Sequence, residues 1–220
     1  MLKKFYYIFF LIFTLDMLAM YYFPSMRLVT KPLIMASLLG WYILSVKSQD
    51  HLLMTGMIFA MIGDILLEFE FQISFILGLS AFLIMQVCYT LVFKRNFAKP
   101  RGWKWWVLGL VFLIAIGFLT GYWHNFKGLG IYIGLYTIAI ATMVSFAICR
   151  KTTYMLQQPL IAGVLLFMFS DLVLAINMFV EKLLGAGLLI MASYAAAQLL
   201  IISSLVQESK ALDSSSVRNK

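Results

Sequence analysis

Long apolar stretches alternate with short polar segments along the chain. Eight apolar runs lie at residues 4–23, 31–46, 52–69, 73–93, 105–122, 129–149, 157–180 and 184–206. A helix needs about 20 mostly apolar residues to cross the hydrocarbon core of a bilayer. The pattern therefore predicts an all-α integral membrane protein, a bundle of eight transmembrane helices in a single membrane domain over residues 1–206. The polar segment 207–220 is predicted to be a disordered tail.

The second and third runs are short, and they leave two interpretations open. Together they fit one re-entrant pair, but the polar segment from Lys47 to His51 also makes a credible turn between two full crossings. We favour two crossings, which gives the count of eight.

Composition excludes a water-soluble domain. Hydrophobic residues make up 63% of the 220 residues and charged residues only 12%, whereas soluble domains carry about 25% charged residues. The two cysteines, Cys88 and Cys149, lie inside apolar runs and are interpreted as packing residues. No metal or other cofactor is predicted.

The distribution of basic residues predicts the orientation in the membrane. If the N-terminus is cytoplasmic, 13 of the 17 Lys and Arg residues lie in cytoplasmic segments. Cytoplasmic loops are enriched in Lys and Arg, so both termini are predicted to be cytoplasmic, in the cell membrane (the cytoplasmic membrane if the host is bacterial). The basic segment from Lys94 to Lys104, with its neighbouring tryptophans, indicates contact with membrane lipids rather than nucleic acid. The oligomeric state is left open.

Three aspartates, Asp16, Asp64 and Asp171, lie well inside apolar runs. Ionisable groups inside a membrane are costly, and they commonly mark functional sites. At about 1.5 Å of helix rise per residue, all three are predicted to lie between the midplane and the outer surface. Lys31, which begins the second run, enters from the same side. The four groups therefore predict an outward-facing polar site.

Polar and small residues recur on one face of several predicted helices, as expected for faces that pack on protein. These stripes are Gly56, Ala60, Asp64 and Glu68; Phe75, Gly78, Phe82, Gln86, Tyr89 and Phe93; Gly163, Ser170 and Asn177; and Gly187, Met191, Tyr194 and Gln198. Structural roles stay open for many of them. Asp16 and the polar residues of the stripes can link helices by hydrogen bonds, Lys31 can reach lipid head groups, and Glu68 and Glu70 are interpreted as interfacial.

A pair of buried carboxylic acids, Asp64 and Asp171, is the chemistry that the sequence offers. A neutral acid beside an ionised one can perform general acid–base hydrolysis. Proton-coupled transport of a lipid or small molecule uses the same groups, and a non-catalytic lipid-binding protein is a third alternative. The residues alone do not choose among them.

Several short motifs, in order, resemble the YhhN-like lysoplasmalogenase family of membrane proteins. They are Lys31-Pro32, Gly63-Asp64, Phe75 to Tyr89 with Gly78, Phe82 and Gln86, Ala162-Gly163, Phe169-Ser170-Asp171 with Ala175, Asn177 and Phe179, and Tyr194 with Gln198. One departure is Gln86, where the family commonly has His. Glutamine can form hydrogen bonds but cannot exchange a proton near neutral pH.

The resemblance implies an ether hydrolase. Its substrate would be a lysoplasmalogen-type lysophospholipid, cleaved at the vinyl ether bond to a fatty aldehyde and a glycerophospho-headgroup. Asp64 and Asp171 would be the catalytic acid and base, in an undetermined order. The substrate would be bound by Lys31, near its phosphate, and by Gln86, Tyr89, Asn177, Tyr194 and Gln198.

Overall fold

The computed structural model describes residues 2–69, 71–126 and 128–218. Over these residues there are eight α-helices, and each overlaps one of the eight apolar runs. They are α1 (Leu2–Tyr22), α2 (Arg27–Ser45), α3 (His51–Leu66), α4 (Gln72–Lys94), α5 (Lys104–Tyr122), α6 (Gly130–Cys149), α7 (Tyr154–Phe179) and α8 (Ala186–Arg218). Short 3-10 helices, Pro24–Met26 and Trp123–Phe126, precede α2 and follow α5. The all-α prediction is confirmed.

Seven helical segments in the described part of the chain are long and apolar enough to cross a membrane. The protein is therefore a multi-pass membrane protein. The remaining helix, α3, has 16 residues and a length of about 24 Å at 1.5 Å per residue, which is short of a bilayer core of about 30 Å. The count of eight crossings stays a prediction.

Two helices extend beyond their predicted ends. α2 begins at Arg27, and with the preceding 3-10 helix it forms a candidate span of 22 residues, Pro24–Ser45. That length is ample for a crossing of its own. α8 continues to Arg218, through residues 207–218 of the segment in which we predict disorder. The helix formers in this segment, among them Gln207, Glu208, Lys210 and Ala211, are compatible with a continued helix despite its polarity.

The described residues form two compact units, one within residues 1–88 and 202–220 and one within residues 89–201. The first unit, called unit 1, contains α1, α2 and α3. Within it the ring of Phe5 on α1 stacks on Trp41 of α2, with 4.3 Å between the ring centroids. Asp50 caps α3 by accepting a hydrogen bond from the Leu52 backbone N–H at 3.0 Å. The side chain of Asp50 thereby satisfies one of the free donors that begin a helix.

Glycines allow α3 and α4 to approach closely within unit 1. A Cβ atom added to Gly63 would lie 2.7 Å from the Phe82 ring, and one added to Gly78 would lie 2.8 Å from the Leu67 side chain. Both positions therefore require glycine as long as these neighbours keep their places. This contact fixes the position on α3 from which Asp64, the next residue, projects.

The second unit, residues 89–201, is called unit 2, and a buried arginine joins two of its segments. Arg150, which follows α6, donates from Nη1 to the carbonyl oxygens of Val92 at 2.6 Å and Phe93 at 3.3 Å. Those carbonyls belong to the last turns of α4, where a cation complements the negative end of the helix dipole. Backbone hydrogen bonds from Ala98 to Cys149 and from Lys151 to Asn96 reinforce the same junction.

Gly163 packs against the backbone of α8, and replacing it with alanine is expected to destabilise the protein. The added Cβ would lie 3.0 Å from the carbonyl oxygen of Ala197 and 3.1 Å from the backbone N of Ile201. Backbone atoms cannot rotate away, so overpacking should cost about 1–3 kcal/mol. The apparent melting temperature in detergent measures the loss.

Gly109→Ala on α5 is the matched control, because an added Cβ meets no atom within 4 Å there. Alanine favours a helix over glycine by about 1 kcal/mol, so this variant should melt at the wild-type temperature or slightly above it. Equal melting temperatures for Gly163→Ala and Gly109→Ala would contradict the close approach of α7 and α8.

Candidate functional site

The predicted polar stripes face the protein interior. Buried residues in them include Gly56, Ala60 and Asp64 on α3; Gly78, Phe82, Gln86, Tyr89 and Phe93 on α4; Ser170 on α7; and Met191, Tyr194 and Gln198 on α8. Apolar side chains outside these stripes are often exposed on the protein surface; Trp106, for example, is 84% exposed. Helical periodicity therefore identified the inward faces correctly.

Asp171 receives a short hydrogen bond from a tyrosine on the neighbouring helix. The hydroxyl of Tyr136 on α6 donates to Asp171 Oδ2 on α7 at 2.6 Å. Tyr136 is buried and Asp171 is partly buried. The hydrogen bond fixes the orientation of the carboxyl group and engages one of its two oxygens.

An aromatic cluster within unit 2 packs against the end of α7, C-terminal to Asp171. Phe126 is fully buried and packs with its ring centroid 5.6 Å from that of Phe179 and 5.7 Å from that of Phe118. Leu172 packs on the same cluster. The residue next to Asp171 is thus held by packing, which limits movement of this part of α7.

Two of the predicted binding residues form a buried pair in unit 2. The Tyr89 hydroxyl on α4 donates to Gln198 Oε1 on α8 at 3.1 Å, and both residues are fully buried. Tyr194 lies one turn before Gln198 and is also buried, with its ring centroid 6.1 Å from that of Phe167. The structure therefore brings Tyr89 and Gln198 together, and it places Tyr194 on the same face of α8.

Ser170 and Asn177 have local hydrogen-bonding roles on α7. The Ser170 hydroxyl donates to the carbonyl oxygen of Ile190 at 2.9 Å. Asn177 Oδ1 accepts a hydrogen bond from the Leu183 backbone N–H at 3.0 Å, in the loop that follows α7. This contact gives Asn177 a loop-stabilising role beside its predicted role in substrate binding.

Asp64 is buried on α3 of unit 1, with 1% of its surface exposed. It follows the tightly packed Gly63, so its backbone position is set by the contact with α4. Asp64 lies in unit 1 and Asp171 in unit 2. Their action as an acid–base pair stays a prediction.

Lys31 lies in an ion-pair cluster of unit 1. Its Nζ donates to Glu68 Oε1 at 2.8 Å, and Arg27 Nη1 lies 3.2 Å from Glu68 Oε2. Asp16 joins the cluster because Thr30 donates to its Oδ1 at 2.7 Å and Arg27 Nε lies 3.9 Å from the same oxygen. The cluster brings Asp16, Lys31 and Glu68 together within unit 1, and the depths predicted for Asp16 and Lys31 in the membrane stay a prediction. Glu70 lies outside the described residues.

Sequence reasoning missed Tyr136 and Arg27. Tyr136 sits in the middle of an apolar run, and the only signal was a phenol group at a depth where its hydroxyl needs a partner. Arg27 precedes Lys31 by four residues, so on a helix the two share a face. We placed Arg27 in a loop because the apolar run begins only at residue 31.

Comparisons with known proteins agree with the resemblance found in the motifs. The chain is similar to the lysoplasmalogenase TMEM86B of Sus scrofa, with 31% identity over 143 residues that cover 62% of this chain and 56% of that protein. It is also similar to the lysoplasmalogenase TMEM86A of Bos taurus, with 28% identity over 159 residues that cover 69% of this chain and 64% of that protein.

The chain thus spans about three fifths of the length of the curated relatives that it matches. No solved structure matches it. The model of the YhhN family matches residues 26–205, which is most of the sequence and contains both Asp64 and Asp171. The chain belongs to the YhhN family.

Proposed function

We propose that this protein is a membrane hydrolase that cleaves the vinyl ether bond of lysoplasmalogen-type lysophospholipids. The observation that carries the proposal is the family match over residues 26–205, which includes the intramembrane acids Asp64 and Asp171. The relatives described above are named lysoplasmalogenases. The products would be a fatty aldehyde and a glycerophospho-headgroup.

The reaction suits carboxylic acids in a partly desolvated site. A neutral carboxyl group donates its proton to the vinyl carbon distant from the ether oxygen, which leaves an oxocarbenium ion. Water adds to the cation and gives its proton to an ionised carboxylate. The resulting hemiacetal collapses to the aldehyde and the free glycerol hydroxyl, so one water is consumed. We assign the two carboxyl roles to Asp64 and Asp171.

We assign substrate binding to Lys31 on α2 and to polar side chains of the stripes on α4, α7 and α8. Lys31 would contact the phosphate, and Gln86, Tyr89, Asn177, Tyr194 and Gln198 would contact the rest of the lipid. Burial of Gln86, Tyr89, Tyr194 and Gln198 supports this assignment because each places polar atoms inside the bundle. Gln86 is assigned hydrogen bonding only.

The proposed topology has eight crossings with both termini in the cytoplasm of the host cell, in its cell membrane. α3 is short for a crossing in this topology, because it has 16 residues and a crossing takes about 20. A short helix can cross by local thinning of the bilayer and by flanking polar residues at the interfaces. Asp50 and Glu68 flank α3 at its two ends and suit that arrangement.

Tyr136→Phe is expected to lower kcat about tenfold with little change in KM. Phenylalanine keeps the ring but removes the hydroxyl that orients Asp171, and a charge-assisted hydrogen bond contributes about 1.5–3 kcal/mol. Initial rates over a range of substrate concentrations separate the two constants. Tyr122→Phe on α5, where the tyrosine is 37% exposed, is the control and should match the wild type. An unchanged kcat in Tyr136→Phe would remove Tyr136 from the mechanism.

Aldehyde release by the purified protein tests the proposed function. The protein in detergent is incubated with a lysoplasmalogen, and aldehyde and glycerophospho-headgroup are measured by mass spectrometry. Equal amounts of both products are expected. Lysophospholipids with a saturated alkyl ether or an ester at the same position are the controls, because neither can form an oxocarbenium ion by protonation at carbon. No aldehyde should form from them.

The same preparation separates the other function classes. Movement of the lipid across reconstituted vesicles without aldehyde formation would favour a proton-coupled transporter. Saturable binding of lysoplasmalogen with neither transport nor aldehyde formation would favour a non-catalytic lipid-binding protein.

A further inference from the structure

Two cations of α2 hold the two oxygens of one carboxylate in unit 1. Lys31 Nζ lies 2.8 Å from Glu68 Oε1, and Arg27 Nη1 lies 3.2 Å from Glu68 Oε2. The three side chains are 10%, 17% and 13% exposed. Each oxygen of this mostly buried carboxylate is paired with a different cation. The two cations therefore form an anion-binding site that is occupied by Glu68 in this structure.

The position of the cations strengthens their need for an anion. Arg27 begins α2 and Lys31 lies one turn further on, at the end where the helix dipole is positive. Two positive side chains there repel each other and the dipole unless negative charge is close. Glu68 and Asp16 supply it, and this leaves the cluster of four side chains formally neutral.

The guanidinium of Arg27 has capacity that Glu68 does not use. Among the described residues, Arg27 Nε is buried and has no hydrogen-bond partner, and Asp16 Oδ1 lies 3.9 Å from it. Asp16 Oδ1 already accepts from Thr30 at 2.7 Å. A planar guanidinium binds two oxygens side by side, which matches the geometry of a phosphate. A phosphate oxygen could therefore accept a hydrogen bond from Arg27 Nε, which has no acceptor among the described residues.

Glu68 is also well placed to leave. It lies in the turn after α3, which ends at Leu66, so its side chain can swing without unwinding a helix. Asp64 lies in the last turn of α3, four residues before Glu68. The proposed phosphate site therefore adjoins a proposed catalytic acid along the chain.

We propose that Arg27 and Lys31 together bind the phosphate of the lysophospholipid, and that Glu68 is an internal anion which the phosphate displaces. The inference rests on the proposed function and adds Arg27 as a second phosphate ligand and Glu68 as its competitor. It makes the site selective for phosphate-bearing lipids, since a neutral glycerol ether cannot replace the Glu68 carboxylate.

Two substrates that differ only in the phosphate test the selectivity. One is a lysoplasmalogen and the other is the alkenylglycerol without phosphate, both assayed in a neutral detergent with no added phospholipid. Arg27→Gln should lower the ratio of kcat/KM for the first to that for the second about tenfold or more, the equivalent of one charge-assisted hydrogen bond. Lys182→Gln, at an exposed cation in the loop after α7, is the control and should leave the ratio at the wild-type value.

Glu68→Gln makes the opposite prediction. It keeps the size of the side chain but removes the competing charge, so glycerol 3-phosphate should bind about tenfold more tightly than to the wild type, while glycerol binding does not change. Arg27→Gln should weaken glycerol 3-phosphate binding. Arg27→Lys keeps the charge but loses the two parallel N–H donors of the guanidinium, so its affinity should lie between those of the wild type and Arg27→Gln. Calorimetric titration measures all three. Unchanged or weaker binding to Glu68→Gln, or wild-type binding to both Arg27 variants, would overturn the proposal.

The two readouts separate this proposal from the proposed function. Glycerol 3-phosphate binding that follows the predicted order in a protein that releases no aldehyde would support the anion site and reject the hydrolase. Aldehyde release with an unchanged substrate ratio in Arg27→Gln would do the reverse. Adding phosphatidylglycerol tests whether the site binds the head groups of bulk lipid instead of the substrate. If this lipid abolishes glycerol 3-phosphate binding and the preference for lysoplasmalogen over alkenylglycerol, the site belongs to bulk lipid and the proposal fails.

Discussion

Asp171→Asn is expected to lower the rate of aldehyde release by at least about 100-fold, and by up to about 10,000-fold, while the protein stays folded. General acid–base groups contribute rate factors of this size. The asparagine side chain has the same shape, and its carbonyl oxygen can still accept the hydrogen bond that Tyr136 gives to Asp171 Oδ2 at 2.6 Å. It cannot exchange a proton at neutral pH. Loss of turnover should therefore come without loss of structure.

The measurement is the steady-state rate of aldehyde formation beside the melting temperature in the same detergent. Asp50→Asn is the matched control. Asp50 caps α3 through Leu52, and asparagine caps helices about as well as aspartate, so its rate and melting temperature should stay at wild-type values. A wild-type rate in Asp171→Asn would remove Asp171 from the chemistry.

Asp64→Asn is expected to lower the same rate by a comparable factor. Asp64 is 1% exposed and follows a glycine that packs on the Phe82 ring, so we choose an isosteric change that keeps the volume of the side chain. The rate of aldehyde release measures the effect. A loss that is explained by a lower melting temperature would instead assign Asp64 a structural role.

The double variant tests whether the two aspartates act together in the same reaction. Groups that act as a unit are strongly non-additive, so removing both costs little more than removing one. We therefore expect Asp64→Asn with Asp171→Asn to be about as slow as the slower single variant. Multiplied losses would show that the aspartates contribute independently, and would contradict their assignment as a pair.

The helices and their inward faces were predictable from the sequence because the bilayer imposes strong local rules. A chain in hydrocarbon must satisfy its backbone hydrogen bonds within each segment, so long apolar runs become helices. Small and polar residues at helical spacing then mark the faces that pack on protein. The burial of Gly56, Ala60 and Asp64 on α3, and of Gln86 and Tyr89 on α4, follows from that spacing.

The partners of the site residues were not predictable, because they depend on which helices become neighbours. Nothing local in α7 indicates that Asp171 is held by Tyr136 of α6. Likewise, Glu68 was interpreted as an interfacial residue, and its contact with Lys31 and Arg27 arises only once α2 and α3 pack together. Asn177 shows the reverse case, since its hydrogen bond to Leu183 is a local turn contact that a stripe of seven-residue spacing does not reveal.

Deuterium incorporation into the released aldehyde tests the central claim most directly. The purified protein is supplied with lysoplasmalogen in D₂O, and the aldehyde is reduced at once with borohydride and weighed by mass spectrometry. Authentic aldehyde incubated in the same D₂O corrects for exchange. Proton transfer to the vinyl carbon followed by hydrolysis predicts one carbon-bound deuterium per aldehyde, formed by the wild type and not by Asp171→Asn. Absence of aldehyde, or aldehyde without deuterium on carbon, would contradict the proposed hydrolysis.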